Sequence, residues 1–578
     1  MAIKTNAPSK SIFGLLKPYY LIIAGLVILT ILANALNLVV PKIVSYAIDS
    51  FSAGTFDLNL ILAEFFVVSL LIFLLTYGQS IAQIYASERV ARDLRGQIAA
   101  KISEQDYAYI ERATPSKLLT NLTSDVDAVK IFVSQAISSI VSSVFLIIGT
   151  SILLVSINWK LGLAVLLIVP IIGVTFAFVL SKVRKLFKAA QETIDWLNRI
   201  INESILGSAL IRLLNSQIYE YTKFIAASTK SKEIGLSILS LFAMLIPIII
   251  FTSNMATLVI LILGGHFVIT GDMSLGDFAA FNGYLSILIF PIILIGFMSG
   301  VIAQATASYW RILEVLNVPN KGESGKTVHD LKGGIEVENV SLAFGEKTVL
   351  KNVSFSVSPW SKTAIMGPTA AGKTQLMYLL TWLLPPTSGL VKYDGEDIWS
   401  LDKKSFHSQI GLVFQDSMIF NLTLRENIAF SNTVDDQHLQ KAIDTAELRD
   451  FIDSLPDKLS TIVSERGSSL SGWQKQRIML ARALALDPKI LLLDDFTARL
   501  DTNTEKKILE NVRRNYPEIT LVSVTEKIAA IEDYDQIVLL MEGEALAIGT
   551  HPELMATSPE YVQIYNSQQS TNAYELPA

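Results

Sequence analysis

Cysteine is absent from the 578-residue chain, which excludes disulfide frameworks and thiolate metal sites. That absence leaves the compartment open. Charge is scarce: Asp, Glu, Lys and Arg make up 17% of residues, with a net balance of −6. No basic block stands out, so no nucleic-acid partner is expected. The N-terminal run MAIKTNAPSKSIFGLL lacks a short apolar core followed by a small-residue cleavage site, and no signal peptide is expected. Apolar residues, by contrast, are abundant. They reach 51%, and the mean hydropathy is +0.45. Both values point to an integral membrane protein rather than to an unusually large soluble core.

Six apolar stretches long enough to cross a bilayer lie at approximately 19–40, 58–80, 134–157, 161–181, 236–264 and 277–303. Pro170, Pro247 and Pro291 interrupt them, which is tolerated where neighbouring helices satisfy the freed backbone groups. Basic residues are distributed unevenly. Arg89, Arg92, Arg95, Lys101, Arg112 and Lys117 follow the second stretch, and Lys182, Arg184, Lys185, Lys188, Arg199, Arg212, Lys223, Lys230 and Lys232 follow the fourth. The connections at 50–59 and around GDMSLGD have no Lys or Arg, so the two long connections and both chain ends are expected in the cytoplasm. Helical periodicity predicts that the spans continue beyond the bilayer. Within the long connections, 116–129 and 206–224 read either as amphipathic helices that dock on another domain or as solvated loops. Gln79, Gln83, Asn254, Asn282 and Tyr284 place polar groups in the spans, either along a pathway or in bonds between helices.

From about Gly333 the pattern changes. IEVENVSLAF, VSFSV, KTAIMG, IGLVF, ILLLDD, ITLVSV and QIVLLM are short β-rich runs alternating with helical segments, the mark of an α/β nucleotide-binding domain. The expected organisation is an α-helical transmembrane bundle over 1–318, a linker at 319–334, the α/β domain over 335–568 and a tail at 569–578.

KTAIMGPTAAGKTQ matches the P-loop pattern in full, with Gly367, Pro368, Thr369, Ala370, Ala371, Gly372, Lys373 and Thr374 between a strand and a helix. Such glycines let backbone amides wrap phosphates at a helix N-terminus, where partial positive charge favours anions. The lysine of such a loop reaches the β- and γ-phosphates, and its hydroxyl residue ligates Mg2+. Binding of ATP and Mg2+ through Lys373 and Thr374 is therefore expected. Asp494, which ends the run ILLLD, is expected as the second metal-associated acid.

These segments resemble the ABC transporter family over nearly the whole chain. LSGWQKQR at 470–477 is similar to the family's signature, with Ser471, Gly472 and Gln474 matching. Gln415 in LVFQD resembles the Q-loop glutamine, and ARLD at 498–501 the D-loop, with Asp501 in place. Phe344 stands where the family usually has a tyrosine that stacks on adenine, and Gln375 completes the P-loop where a hydroxyl residue is common. Six spans ahead of one such domain is the order of an exporter-type half-transporter. The resemblance implies a dimer, each ATP lying between one subunit's P-loop and the other's signature, with Thr374, Gln415 and Asp494 around Mg2+. It also implies a multi-pass protein of the bacterial plasma membrane, in contact with lipid, whose cytoplasmic ATPase drives export of an amphiphilic small molecule, lipid or peptide.

Three positions depart from the family pattern. Asp495 replaces the glutamate that polarises the attacking water, and the missing methylene withdraws its carboxylate by ~1 Å, a misplacement that can cost ~100-fold. In SVTEK, Glu526 takes the place of the switch histidine, or Thr525 does if the alignment slips by one residue. A carboxylate there is repulsive toward a polyanion. Trp473 stands where the signature has glycine. Asp495, Glu526 and Gln415 are the expected catalytic positions, and two of them are altered at one P-loop. That clustering resembles the degenerate site of heterodimeric exporters. The alternatives are a homodimeric exporter with slow hydrolysis, an ATP-gated regulator or channel, and an importer of exporter-like build.

Overall fold

The computed structural model describes residues 11–319, 325–431, 433–464, 467, 469–496 and 502–574. The chain divides into two compact units, Met1–Gln105 with Ala113–Pro319, and Asp106–Arg112 with Asn320–Ala578.

Among the described residues, the first unit has six helical spans: α1 Lys17–Ser52, α2 Leu58–Ser103, α3 Pro115–Ile157, α4 Trp159–Leu206, α5 Gln217–Thr270 and α6 Leu275–Leu316. All six apolar stretches of the sequence fall inside them. The shortest has 36 residues, about 54 Å at 1.5 Å per residue, so each exceeds the ~30 Å hydrocarbon core of a bilayer. Pro170 stands in the first turn of a helical segment that restarts at Ile168, where no intrahelical bond is lost. Pro247 and Pro291 lie inside longer helices.

The main apolar cluster of this unit packs Phe176, Leu245, Ile249, Phe281, Tyr284 and Leu288 of α4, α5 and α6 with Leu38 of α1 and Leu154 of α3. Of the polar residues in the spans, Tyr284 Oη donates to the Leu38 carbonyl of α1 at 3.0 Å. Gln83 Oε1 accepts from Ser138 Oγ between α2 and α3 at 3.2 Å. Asn282 donates to the Phe278 carbonyl of its own helix. These three serve bonds between or within helices. Phe66, Phe73 and Tyr77 of α2 are exposed and present an apolar face for lipid to cover.

The stretch 116–129 is held inside the first unit by charge. Asp125, with a side chain only 2% exposed, is paired with Arg311 of α6. Lys117–Glu314 and Arg95–Asp127 flank that pair. The segment from this connection that joins the second unit is instead Asp106–Arg112. Tyr107 meets the Tyr378 ring edge-on at 5.4 Å, and Ala108 is buried in the second unit's core. The other candidate stretch, 206–224, contains a short helix, Ser208–Leu213, without a buried residue. Leu206, Leu210, Leu213 and Ile218 are 58 to 82% exposed.

Two sheets form the second unit. Strands β1 Ile335–Phe344, β2 Lys347–Val357, β4 Ser388–Tyr393 and β5 Glu396–Asp397 make an antiparallel sheet in the order β2-β1-β4-β5. Strands β3 Lys362–Met366, β6 Ile410–Val413, β7 Ile490–Asp494, β8 Thr520–Thr525, β9 Gln536–Met541 and β10 Glu544–Gly549 make the other, in the order β10-β9-β3-β8-β7-β6. Within it β6, β7, β8, β3 and β9 are parallel, and β10 returns antiparallel to β9. The parallel strands are buried on both faces, which explains their near-continuous apolar sequences. Leu491, Leu493, Leu521 and Leu539 enter one core, and Leu492, Val522, Val524 and Leu540 the other.

Removing Arg311 leaves Asp125 buried without its cation. Because Arg311 is itself half-exposed, we expect Arg311→Met to cost about 2 kcal/mol, below the range for fully buried pairs. Asp125→Asn in the same chain should recover most of that loss. Thermal unfolding of the solubilised protein in a double-mutant cycle measures it, and additive losses would show that the two residues do not couple.

Candidate nucleotide-binding site

Three adjacent parallel strands position the site. Met366 of β3 is in register with Thr525 of β8, and Val524 of β8 with Asp494 of β7. Their carboxyl ends, where α/β sheets bind ligands, therefore bring together the P-loop, Asp494–Asp495 and Glu526.

The P-loop turns from β3 into helix α7, Lys373–Leu380. Glycine is required at two points. A Cβ on Gly367 would lie 1.9 Å from the Leu540 carbonyl oxygen, and Gly372, at φ +98°, has left-handed backbone with Leu350 Cδ2 at 2.7 Å from such an atom. Ala370 is also left-handed, at φ +68°. Within the turn, the Ala371 amide donates to the Pro368 carbonyl. Lys373 is curled over the loop: its Nζ donates to the carbonyls of Gly367 at 2.6 Å and Pro368 at 2.9 Å. It also pairs with Glu526 Oε1 at 3.0 Å, an oxygen that accepts from Thr369 Oγ1 at 3.3 Å.

Thr374 Oγ1 donates to Asp494 Oδ1 at 3.4 Å. Asp494 is 1% exposed, and its other carboxylate oxygen is buried without a hydrogen-bond partner. Burial pushes this carboxyl up to about 6. An orphaned carboxylate oxygen beside a hydroxyl is the hard-oxygen donor set that suits Mg2+, which takes its remaining ligands from phosphates and water. The residues present therefore fit that ion. Burial, and after it the charge of Glu526, also raises the Asp495 carboxyl. Asp495 has φ +47° and donates its amide to the Val524 carbonyl. Aspartate tolerates left-handed backbone better than most side chains, so the local conformation itself favours the shorter acid.

The remaining predicted residues lie elsewhere. Ser471 caps helix α8, Gly472–Leu484, in a reciprocal capping box with Gln474. The helix packs on β6 at the sheet edge, and β7 and β8 separate that strand from the P-loop strand β3. Ser471, Gly472 and Gln474 therefore do not join this chain's own P-loop. Trp473 is 40% exposed and lies under the Arg477 guanidinium, 4.9 Å from the ring centre. Gln415 is exposed and follows β6. Phe344 is 45% exposed at the end of β1, whose partner strand β2 presents Leu350 to Gly372. Gln375 is half-buried in the first turn of α7. Asp501 lies outside the described residues.

Two further glutamines, to which the sequence reading gave no role, hold these segments in place. Gln476, on the buried side of α8, donates to the Gln415 carbonyl at 3.1 Å and so ties the Q-loop backbone to the signature helix. Gln568, in helix α9, Pro559–Tyr574, donates to the Glu526 carbonyl at 2.6 Å and accepts from the Ile528 amide at 2.9 Å. It lies at the edge of the segment read as a tail, where sequence alone offers no signal.

A helical bundle with six spans, fused to a P-loop α/β unit with a separate signature helix, defines a membrane-embedded transport ATPase. A family profile described as ABC transporter transmembrane region matches residues 21–292, and one described as ABC transporter matches 350–498. The uncharacterized ABC transporter ATP-binding protein YfiB of Bacillus subtilis (strain 168) is 32% identical, over 96% of this chain and 97% of its own. The chain belongs to the ABC transporter family. The ATP-dependent lipid A-core flippase of Syntrophus aciditrophicus (strain SB) is 28% identical over 85% of this chain and 83% of its own. The multidrug resistance ABC transporter ATP-binding and permease protein of Lactococcus lactis subsp. lactis (strain IL1403) is 28% identical over 96% and 94%. Among solved structures, a bacterial Atm1-family ABC exporter with ATP bound superposes with a TM-score of 0.75 at 21% identity, covering 95% of this chain and 98% of that one. The fold is that of an exporter, and the protein is a multi-pass membrane ABC transporter with a cytoplasmic ATPase domain. The expected fold class is borne out.

A carboxyl raised from 3.8 to about 6 costs the folded unit nothing below pH 3.8 and its full penalty above pH 6. Asp494→Asn should therefore stabilise the nucleotide-free protein at pH 8, by on the order of 2 kcal/mol. The gain should shrink as the pH falls through 6. Thermal unfolding without nucleotide across pH 5 to 8 tests this; a gain independent of pH would refute it.

Proposed function

We propose that the chain is one half of a heterodimeric ABC exporter whose own P-loop binds nucleotide but turns it over slowly. The observation that carries this reading is the pairing of Glu526 with Lys373 at 3.0 Å, beside an Asp495 held in left-handed backbone. A general base must reach hydrogen-bond distance of the water it activates. Asp495 is one methylene short of the family's glutamate. Glu526 supplies no donor to a transferring phosphate and takes up the lysine meant for it. Both changes weaken the chemistry of the site.

In this reading residues 367–375 hold the phosphates, Phe344 packs on the adenine, and Thr374, Asp494 and Gln415 hold Mg2+, which supplies charge neutralisation when bound. Ser471, Gly472 and Gln474 serve the partner's P-loop, which accords with their place at the sheet edge. We assign 1–318 to the transmembrane domain, 319–334 to the linker, 335–568 to the ATPase domain and 569–578 to the tail. The exported substrate is an amphiphile, either a lipid or a drug-like molecule, a class supported by the flippase and multidrug relatives.

The full chain reconstituted alone in lipid nanodiscs should hydrolyse ATP below about 1 s⁻¹, the low end of ordinary enzyme turnover. Asp495→Glu with Glu526→His should raise that rate at least ~10-fold, by restoring the reach of the acid and removing the repulsion. Tagged protein purified from its native membrane should bring down a different half-transporter. Fast turnover of the unaltered chain alone, or recovery of only a second copy of itself, would overturn the heterodimer.

A further inference from the structure

The ammonium of Lys373 has three hydrogens to donate, and the structure accounts for three acceptors: the carbonyls of Gly367 and Pro368 and the carboxylate of Glu526. The lysine that a P-loop reserves for the terminal phosphates is thus saturated by the protein itself. Glu526 is also bound by the Thr369 hydroxyl of the same loop at 3.3 Å. Its side chain is half-exposed, whereas that of Lys373 is only 10% exposed, so little water screens the pair on the lysine side. An anionic oxygen lodged against a P-loop lysine and a P-loop hydroxyl is the chemistry of a phosphate oxygen.

The backbone that carries this carboxylate is anchored from outside the loop. Gln568 of α9 donates to the Glu526 carbonyl and accepts from the Ile528 amide, bridging the turn at both ends with one side chain. The turn follows β8, whose Thr525 is in register with Met366 at the start of the P-loop. The strand pairing brings the turn to the loop, and Gln568 holds it there.

We propose that Glu526 is a built-in substitute for the terminal phosphate, positioned by Gln568, and that it makes this chain's P-loop select a nucleoside diphosphate over a triphosphate. A diphosphate can take the loop amides and replace the loop carbonyls as acceptors of Lys373 while Glu526 stays in place. A triphosphate must expel the carboxylate or lie against it. The site then rests with diphosphate bound, and the switch turn is the element that a γ-phosphate must move. This inference rests on the reading of residues 367–375 as the nucleotide site.

The test uses the full chain, without a partner, in nanodiscs with Mg2+. Displacement of a fluorescent N-methylanthraniloyl-ADP by ADP and by ATP gives the ratio of the two dissociation constants. In the unaltered protein ATP should bind more weakly than ADP. Glu526→Gln should tighten ATP binding ~5- to 10-fold and ADP binding less than ~2-fold, the size of effect expected for losing one partly screened charge contact. Gln568→Leu changes no charge, so a general loss of repulsion cannot explain its effect; it should shift the ratio the same way by ~2- to 3-fold. An unchanged ratio in Glu526→Gln, or a shift there with none in Gln568→Leu, overturns the proposal while leaving nucleotide binding intact. Failure of either nucleotide to displace the probe, or of the probe to bind, would sink the nucleotide-site reading as well.

Discussion

The parallel register of β3, β8 and β7 is the constraint on which the rest of the site depends. Because Met366 aligns with Thr525 and Val524 with Asp494, three loops far apart in sequence emerge side by side at one sheet end. A one-residue slip of any strand would turn its buried set to the opposite face. Each strand is packed on both faces, with Leu491 and Leu493 in one core and Leu492 in the other, so such a slip would put mismatched side chains into two cores at once. Packing therefore sets the geometry of the polar groups at the strand ends.

Those polar groups are in electrostatic conflict. Asp494, Asp495 and Glu526 lie near Lys373, and burial raises the first two carboxyls above their ordinary range. Glu526 settles part of the conflict by pairing with the lysine, and the buried oxygen of Asp494 without a partner is what remains. Sites of this kind hold unfavourable features that the surrounding fold must support. Here the left-handed backbone at Asp495 and the two left-handed positions of the P-loop lie next to strands buried on both faces. The shape of the loop serves binding, while the acids around it oppose rapid chemistry.

Legibility differed between the two units for physical reasons. In the second unit, the strands with continuous apolar runs were read at their correct places, since burial on both faces leaves no other composition. β4, β5 and β10 lie outside those runs: β10, EALAIG, alternates between half-buried and exposed positions at a sheet edge, and its composition differs little from a loop. In the first unit the spans are evident from the sequence, whereas the packing of the connection after α2 is not. The stretch 116–129 has the pattern of an amphipathic helix or a solvated loop, and Arg311, nearly two hundred residues away, pairs with Asp125 and packs it within the first unit. Asp106–Arg112 joined the second unit through Tyr107 and Ala108, a contact with no local signature.

The local pattern was therefore determined by the sequence alone: six spans, a phosphate loop, and a strand ending in two acids. Each of these depends on residue type and short-range spacing, which the chain carries in itself. Tertiary structure decided which partner each charge meets. It directed Glu526 onto Lys373, left one oxygen of Asp494 unpaired, and recruited Gln568 to hold the switch turn. Those outcomes depend on strand order and register over distances that no local pattern encodes, because a side chain's pairing is set by what the completed fold brings within about 3 Å of it.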